Sequence, residues 1–226
     1  MPAPLPPRAA YRIWAPFYDR ENPVTVLEDA ATSRLTPPLQ GRTLLDAACG
    51  TARRLPGTDA VRAIGLDAAP EMLEVASRSV PGARLVQGDL RALPFRDACA
   101  DVVWCRLAIG HVREIDAAYA ELGRVCRAGG RVIVTDFHPE AVAAGHTRSF
   151  REPGGAVIAI EHTVHTAQAQ IAAARRCGLA LAARLEPAVG PAVRDLYEAA
   201  GAVDRYAGQL GLPLVLALSF ERRAPT

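Results

Sequence analysis

The residues best equipped for chemistry sit where apolar runs stop. Asp46 lies near the end of "RTLLDAA", Asp67 ends "AVRAIGLD", Asp89 ends "ARLVQGD", and Arg106 falls in "ADVVWCRLA" with His111 a turn further on. If each run is a strand of one sheet, these groups occupy successive strand ends. Carboxylates there would accept hydrogen bonds from hydroxyl and amino groups along a single crevice. Between Asp46 and Arg53 the chain uses only the small residues of "AACGTA", which suits a tight turn whose backbone a ligand approaches closely. Capping of a following helix explains Asp46 or Asp67 taken singly; it does not explain the whole series. Among the five histidines, His111 and His138 stand nearest these strand ends and are the candidate general bases, because imidazole titrates near neutrality.

The elements that would position these groups follow from periodicity. Five short apolar runs, the last being "GRVIVTDF", are bounded by Gly, Asp or Pro, as buried parallel strands are. Helical patterns separate them. "APEMLEVASRSV" begins with Pro70 and Glu71, and "VREIDAAYAELGRVC" carries Ile115, Ala118, Tyr119, Leu122 and Val125 on one face before Gly129-Gly130. Strand–helix alternation gives right-handed crossovers and a parallel sheet covered on both faces. A further helix, "TVHTAQAQIAAARRCG", precedes two last strands, "LALAARLEPAV" and "LPLVLALSFERR", joined by a helical connection from Pro191 to Tyr206. The result is a doubly wound α/β fold with a mostly parallel seven-stranded sheet. Residues 1–38, with Tyr11, Trp14, Phe17 and Tyr18 clustered, read as an N-terminal helical arm or lid, and residues 139–163 as an insertion after the fifth strand that shapes a substrate pocket.

Bulk properties narrow the function. A chain of 226 residues, 50% hydrophobic, buries one substantial core and reads as a single domain. With 26 basic and 24 acidic residues it advertises no phosphate-tracking surface, so no nucleic-acid partner is expected. No run is long enough to span a bilayer and no signal-type segment is present, so a cytoplasmic monomer or homodimer is expected, without membrane contact. Cys49, Cys99, Cys105, Cys126 and Cys177 are scattered without metal-ligand spacing; no metal site is expected, and buried free thiols are.

Taken together, "LLDAACGTA", "IGLDAAPEML", "LVQGDLRALPFRDACADVVWCRLAIGHV" and "ELGRVCRAGGRVIVTDFHP" resemble, in order and spacing, the motifs of class I S-adenosylmethionine-dependent methyltransferases. The likeness is to the small-molecule branch typified by ubiquinone and menaquinone biosynthesis. The resemblance implies a Rossmann-like methyltransferase sheet, S-adenosyl-L-methionine as cofactor, and O-, C-, N- or S-methylation of a small acceptor. It implies that Ala48 and Gly50 let the backbone approach the amino-acid end of the cofactor, at a helix N-terminus, with Asp46 near the ammonium. It places Asp67 on the ribose, Ala68 and Met72 beside the adenine, and Asp89 and Leu90 on the adenine edge. Arg106 and His111 would line the side where the methyl group points, and Tyr11 and Tyr18 would cover the cofactor. The chain departs from the pattern at Ala48 and Ala52, where glycines are usual, and Pro56-Gly57 leaves little room for a long first helix.

Other readings stay open at this point. A dinucleotide oxidoreductase would need a G-x-G-x-x-G turn that "DAACGTA" lacks. A non-methylating, cyclase-like catalyst that retains the cofactor, or a binding module on the same scaffold, is not distinguished by motif. The stretch "CRLAIGHV" after the fourth strand is unlike the Asn-Pro-Pro-Tyr motif of base-amino methylases.

Overall fold

The computed structural model describes residues 3–224. Its N-terminal arm is helical: α1 (Pro7–Trp14) starts on a proline, and α2 (Pro23–Leu35) is held at its start by a capping box in which Asn22 Oδ1 accepts from Val24 N and Thr25 N. The chain then builds β1 (Thr43–Ala47), β2 (Arg62–Asp67), α3 (Pro70–Ser79), β3 (Arg84–Gln87), β4 (Ala100–Arg106), α4 (Ile115–Val125) and β5 (Cys126–Phe137). Next come α5 (Pro139–Ala143) and a two-stranded hairpin, β6 (Ser149–Arg151) with β7 (Val157–Ala159). The last elements are α6 (Ala167–Arg176), β8 (Leu179–Leu185), α7 (Arg194–Ala199), α8 (Val203–Gln209) and β9 (Val215–Arg222).

Seven strands form one sheet in the order β3-β2-β1-β4-β5-β9-β8, in which β9 alone runs against its neighbours. Strand order reverses between β1 and β4, which opens a crevice at their carboxyl ends. Alternation along β4 shows why the sheet is covered twice. Val103 and Cys105 pack with Tyr119 and Leu122 of α4 on one face, while Val102 and Trp104 pack with Leu39, Leu44 and Ala76 on the other. All five cysteines are free, and burial pushes the Cys49 and Cys105 thiols up, so they pack as small hydrophobes. No helix among the described residues is long and apolar enough to cross a membrane.

Two local features differ from the sequence expectation. No helix follows β1: Ala48, Gly50 and Ala52 take φ values of 83°, 57° and 55°, and alternating left-handed residues cannot continue a right-handed helix. The alanines adopt the backbone usually reserved for glycine, at a cost of about 1 kcal/mol each. The turn is instead tied to β2, with Ala48 N and Cys49 N both donating to Leu66 O at 2.7 and 2.8 Å. The amides of this turn are therefore spent on Leu66, Cys49 and Asp67, and the helix N-terminus expected behind them is not there. At the other departure, α4 stops at Val125 and β5 begins at once, carrying an irregularity at Gly129 and Gly130. A Cβ on Gly130 would stand 2.8 Å from the carbonyls of Arg127 and Asp101, so that kink admits glycine alone.

One buried polar cluster fastens the arm to the sheet. Glu28 on α2 is 0% exposed and receives Arg106 Nε and Nη2 at 2.8 and 2.6 Å, Thr135 Oγ1 at 2.9 Å and Thr32 Oγ1 at 2.8 Å. Arg106 also reaches Asp29, and Arg54 donates to Asp29 at 2.7 Å. Burial alone would raise the Glu28 carboxyl, but the hydrogen bonds and charge of Arg106, with Arg54 behind, hold it below its ordinary value. Glu28→Gln should lower unfolding free energy at neutral pH by about 3 kcal/mol, because it leaves two guanidiniums short of an anion. Since the folded-state carboxyl is depressed, its stabilisation is present above the ordinary value of 4.5 and is lost as pH falls below it. Wild type and variant should therefore converge in acid; urea midpoints that differ equally at pH 7 and pH 3 would contradict this.

Candidate active site

The carboxyl ends of β1 to β4 surround a cavity of about 550 Å³. Its size suits a small-molecule site, for which about 300–1,000 Å³ is usual. Tyr11, Tyr18, Ala48, Gly50, Asp67, Ala68, Met72, Asp89, Leu90, Arg106 and His111 all line it. Asp46 and His138 are outside that lining.

Asp67 ends β2 and faces the β1 turn. Its Oδ2 accepts from Gly50 N at 2.8 Å and its Oδ1 from Ala69 N at 2.9 Å, so it both orders the turn and opens α3. Burial raises its carboxyl, with those amides opposing. Asp89 sits at the exposed rim beside Arg91, which donates to it through Nε at 2.9 Å and Nη2 at 2.5 Å and holds its carboxyl below the usual range. Met72 is buried against Ala15 and Ala69, forming an apolar wall between the two acids.

Asp46 lies behind the turn, 2% exposed, with Oδ1 buried and unpartnered. Burial pushes its carboxyl up to about 6, although Arg106 and Arg54 are close enough to oppose the shift. No helix follows β1 for it to cap.

The arm closes the cavity from above. The Tyr18 ring lies over Gly50, its Cε1 3.5 Å from where a Cβ would stand. Tyr11 Oη is 2.8 Å from His111 Nε2, and His111 Nδ1 is 3.4 Å from Glu161 O. With Nδ1–H directed at that carbonyl, Nε2 accepts the tyrosine hydroxyl. Burial, then the Arg148 charge, drives His111 well below the ordinary histidine value, and burial raises Tyr11, so both are neutral.

Two expected residues are turned elsewhere. Arg106, expected to line the methyl side, touches the cavity, but its guanidinium is held by Glu28 and Asp29. His138, expected to act as a base, caps α5 by accepting from Glu140 N at Nδ1 (3.2 Å) and donates from Nε2 to Glu186 at 2.8 Å. Both ring nitrogens are occupied away from the cavity, because the chain bends after β5 and sends the side chain toward β8. Sequence reasoning passed over the pair Asp136–Arg148, in which Arg148 Nη2 donates to Asp136 at 2.6 Å and Nη1 to Leu107 O at 2.7 Å. Only the acid at the end of "VIVTD" hinted at it.

Asp46 carries a pH signature. A carboxyl raised from 3.8 to about 6 on folding stabilises the free protein at low pH and loses that contribution as pH rises through about 6. Asp46→Asn should gain stability relative to wild type between pH 4 and pH 8, by on the order of 1–3 kcal/mol. Thermal melts in which the difference stays constant across that range would reject an unpaired buried acid.

Known proteins agree with this geometry. The family described as a methyltransferase domain matches residues 45–134. The chain is 34% identical over 133 residues to demethylmenaquinone methyltransferase of Renibacterium salmoninarum, covering 55% of this chain and 56% of the relative. It is 37% identical over 95 residues to malonyl-[acyl-carrier protein] O-methyltransferase of Serratia marcescens, covering 41% and 37%. It thus spans about half the length, or less, of the curated relatives it matches. The S-adenosylmethionine-dependent methyltransferase of Mesorhizobium loti superimposes with a TM-score of 0.67 at 19% identity over 87% of this chain and 98% of that one, which is a likeness of fold. Residues 45–134 thus carry a methyltransferase domain, on a sheet topology shared with the S-adenosylmethionine-dependent methyltransferase fold.

Proposed function

We propose that this protein transfers a methyl group from S-adenosylmethionine to a small-molecule acceptor, in the cytoplasm. One observation carries the reading: a single cavity at the switch in strand order gathers the acid of β2, the rim acid after β3, the small-residue turn and the two tyrosines of the arm. The residues suit the cofactor on their own chemistry. The buried, orphaned Oδ1 of Asp46 offers an ammonium a partner, Asp67 offers lone pairs to vicinal hydroxyls, and Met72 with Ala68 offers a flat apolar slot for a purine. Asp89 and the neighbouring Leu90 amide would take the purine edge, and Ala48 and Gly50 would leave room for the amino-acid end. When bound, the cofactor supplies a methyl already activated by positive charge on sulfur.

The protein then has three tasks. Tyr11 and Tyr18 exclude water and close the space above the turn, which favours a direct in-line displacement. Asp46 and Asp67 place negative charge around a cationic donor. His111 Nε2, reached directly or through the Tyr11 hydroxyl, is the atom that would take a proton from the acceptor. Because His111 is held neutral and weakly basic, the acceptor should be acidic enough to need little help: a phenol, thiol, carboxylate or stabilised carbanion. Relatives named for demethylmenaquinone and malonyl-[acyl-carrier protein] support acceptors outside nucleic acid.

Incubation with methyl-labelled donor and a panel of such acceptors should give labelled product. Binding of the demethylated cofactor without labelled product from any acceptor would overturn transfer in favour of a non-methylating catalyst on this scaffold. Asp67→Ala should weaken binding of the demethylated cofactor by about 1.5–3 kcal/mol in calorimetry; unchanged affinity would remove Asp67 from the ribose. His111→Ala should lower turnover more than cofactor affinity, and the opposite pattern would assign it to the cofactor alone.

A further inference from the structure

A second cavity, of about 380 Å³, shares Tyr11, Tyr18 and Leu107 with the first and extends beyond them between the arm, the hairpin segment and α7–α8. On the reading above, it is where an acceptor would reach the methyl group. Among the described residues no aspartate or glutamate lines it, whereas Arg53, Arg148 and Arg205 do. The first cavity mixes the two signs, with Asp67 and Asp89 among Arg8, Arg91, Arg106 and Arg113.

We infer that the acceptor is an organic oxyanion with an aromatic or apolar body, recognised in this second cavity by its arginines. Three independent observations converge. First, the donors left over in the wall belong to arginine. Arg148 is 5% exposed, and after Leu107 O and Asp136 have taken its terminal nitrogens its Nε remains buried without a partner. Arg53 Nε is likewise buried without a hydrogen-bond partner: Asp19 stands 3.9 Å from it, and Asp29 lies 3.6 Å from Nη2. Second, the neutral polar groups of the wall satisfy one another. Tyr197 Oη donates to Gln209 Oε1 at 2.8 Å, and the Gln209 amide is 2.8 Å from His146 Nε2, which leaves little demand for a neutral polar ligand there. Third, Asn22 to Thr25 at the start of α2 also line the cavity; Asn22 caps the Val24 and Thr25 amides, so what reaches the cavity there is only the dipole of the thirteen-residue helix.

The remaining walls set the body of the ligand. Trp14 stacks on Phe150 with centroids 4.8 Å apart, and Phe137 lies under the Arg148 guanidinium at 4.7 Å. With Tyr197, these rings offer flat apolar faces, and the unpartnered Nε of Arg148 and of Arg53 beside them suit an oxyanion. Arg205, exposed on α8, stands at the outer lip and supplies charge to the entrance.

The test is calorimetric and needs no turnover. The protein is titrated first with S-adenosylhomocysteine and then with cinnamate, phenyl phosphate and the neutral cinnamamide. Either oxyanion should bind about tenfold or more tightly than the amide, and the tighter of the two identifies the oxyanion chemistry. The variant Arg53→Gln with Arg205→Gln should bring all three within about twofold; the change at Arg53 gives up two long ion pairs, 3.9 Å to Asp19 and 3.6 Å to Asp29, and no contact at hydrogen-bond distance. Oxyanions that bind no better than cinnamamide, or none binding up to about 10 mM, overturn the inference. So does full retention of the preference in the double variant. Failure of S-adenosylhomocysteine to bind would instead overturn the methyl-transfer reading, while the ranking of the three probes on the free protein still decides this one.

Discussion

The structure depends on a buried carboxylate that two arginines from different parts of the chain converge on. Glu28 belongs to the arm, Arg106 to the tip of β4 and Arg54 to the turn region after β1, so one anion joins the lid, the sheet and the turn. Each partner is nearly dry, and no one of them could be left alone in that environment without a large penalty. The arm therefore has one docking position on the sheet. From that position α1 and the residues after it carry Tyr11 and Tyr18 over the strand tips.

The same cluster explains why Asp46 stays unpartnered behind the strand-tip cavity. Arg106 and Arg54 stand close enough to Asp46 to lower its carboxyl, yet their hydrogen bonds go to Glu28 and Asp29. Asp46 is left with a buried oxygen that nothing in the chain satisfies, and Asp67 nearby receives only backbone amides. Carboxylates of Asp46 and Asp67 thus lie beneath the tyrosines, while the cavity beyond them is lined by Arg53, Arg148 and Arg205 and, among the described residues, by no acid. A cationic donor on one side and an anionic acceptor on the other would be drawn to the shared wall of Tyr11, Tyr18 and Leu107. That arrangement aligns reactants by electrostatics before any contact specific to the acceptor is made.

The amino-acid sequence reveals the strand-tip series because its cause is local. Buried parallel strands are short apolar runs, and a polar residue ending each run must stand at the carboxyl edge of the sheet; Asp67, Asp89 and the Ala48–Gly50 turn are placed by that logic alone. Backbone strain was half-legible: Pro56-Gly57 left little room for a long helix after β1, although a helix N-terminus was still expected at the turn, while the left-handed path through Ala48 and Ala52 appears only in the dihedral angles. Long-range pairings left no mark in periodicity. Glu28 meets Arg106 across 78 residues, and Asp136 meets Arg148 from an insertion without regular pattern. These partners redirect Arg106, and Glu186 redirects His138, so nearness to a strand end in sequence did not decide where either side chain points.

The account rests on where an adenosyl ligand lies. Diffraction from crystals soaked with S-adenosylhomocysteine reads this directly. The account predicts difference density across the tips of β1 to β3, with ribose oxygens at Asp67 and the amino-acid end beneath Tyr18 beside the Ala48–Gly50 turn. Density confined to the arginine-lined cavity, or no density at saturating ligand, would contradict it.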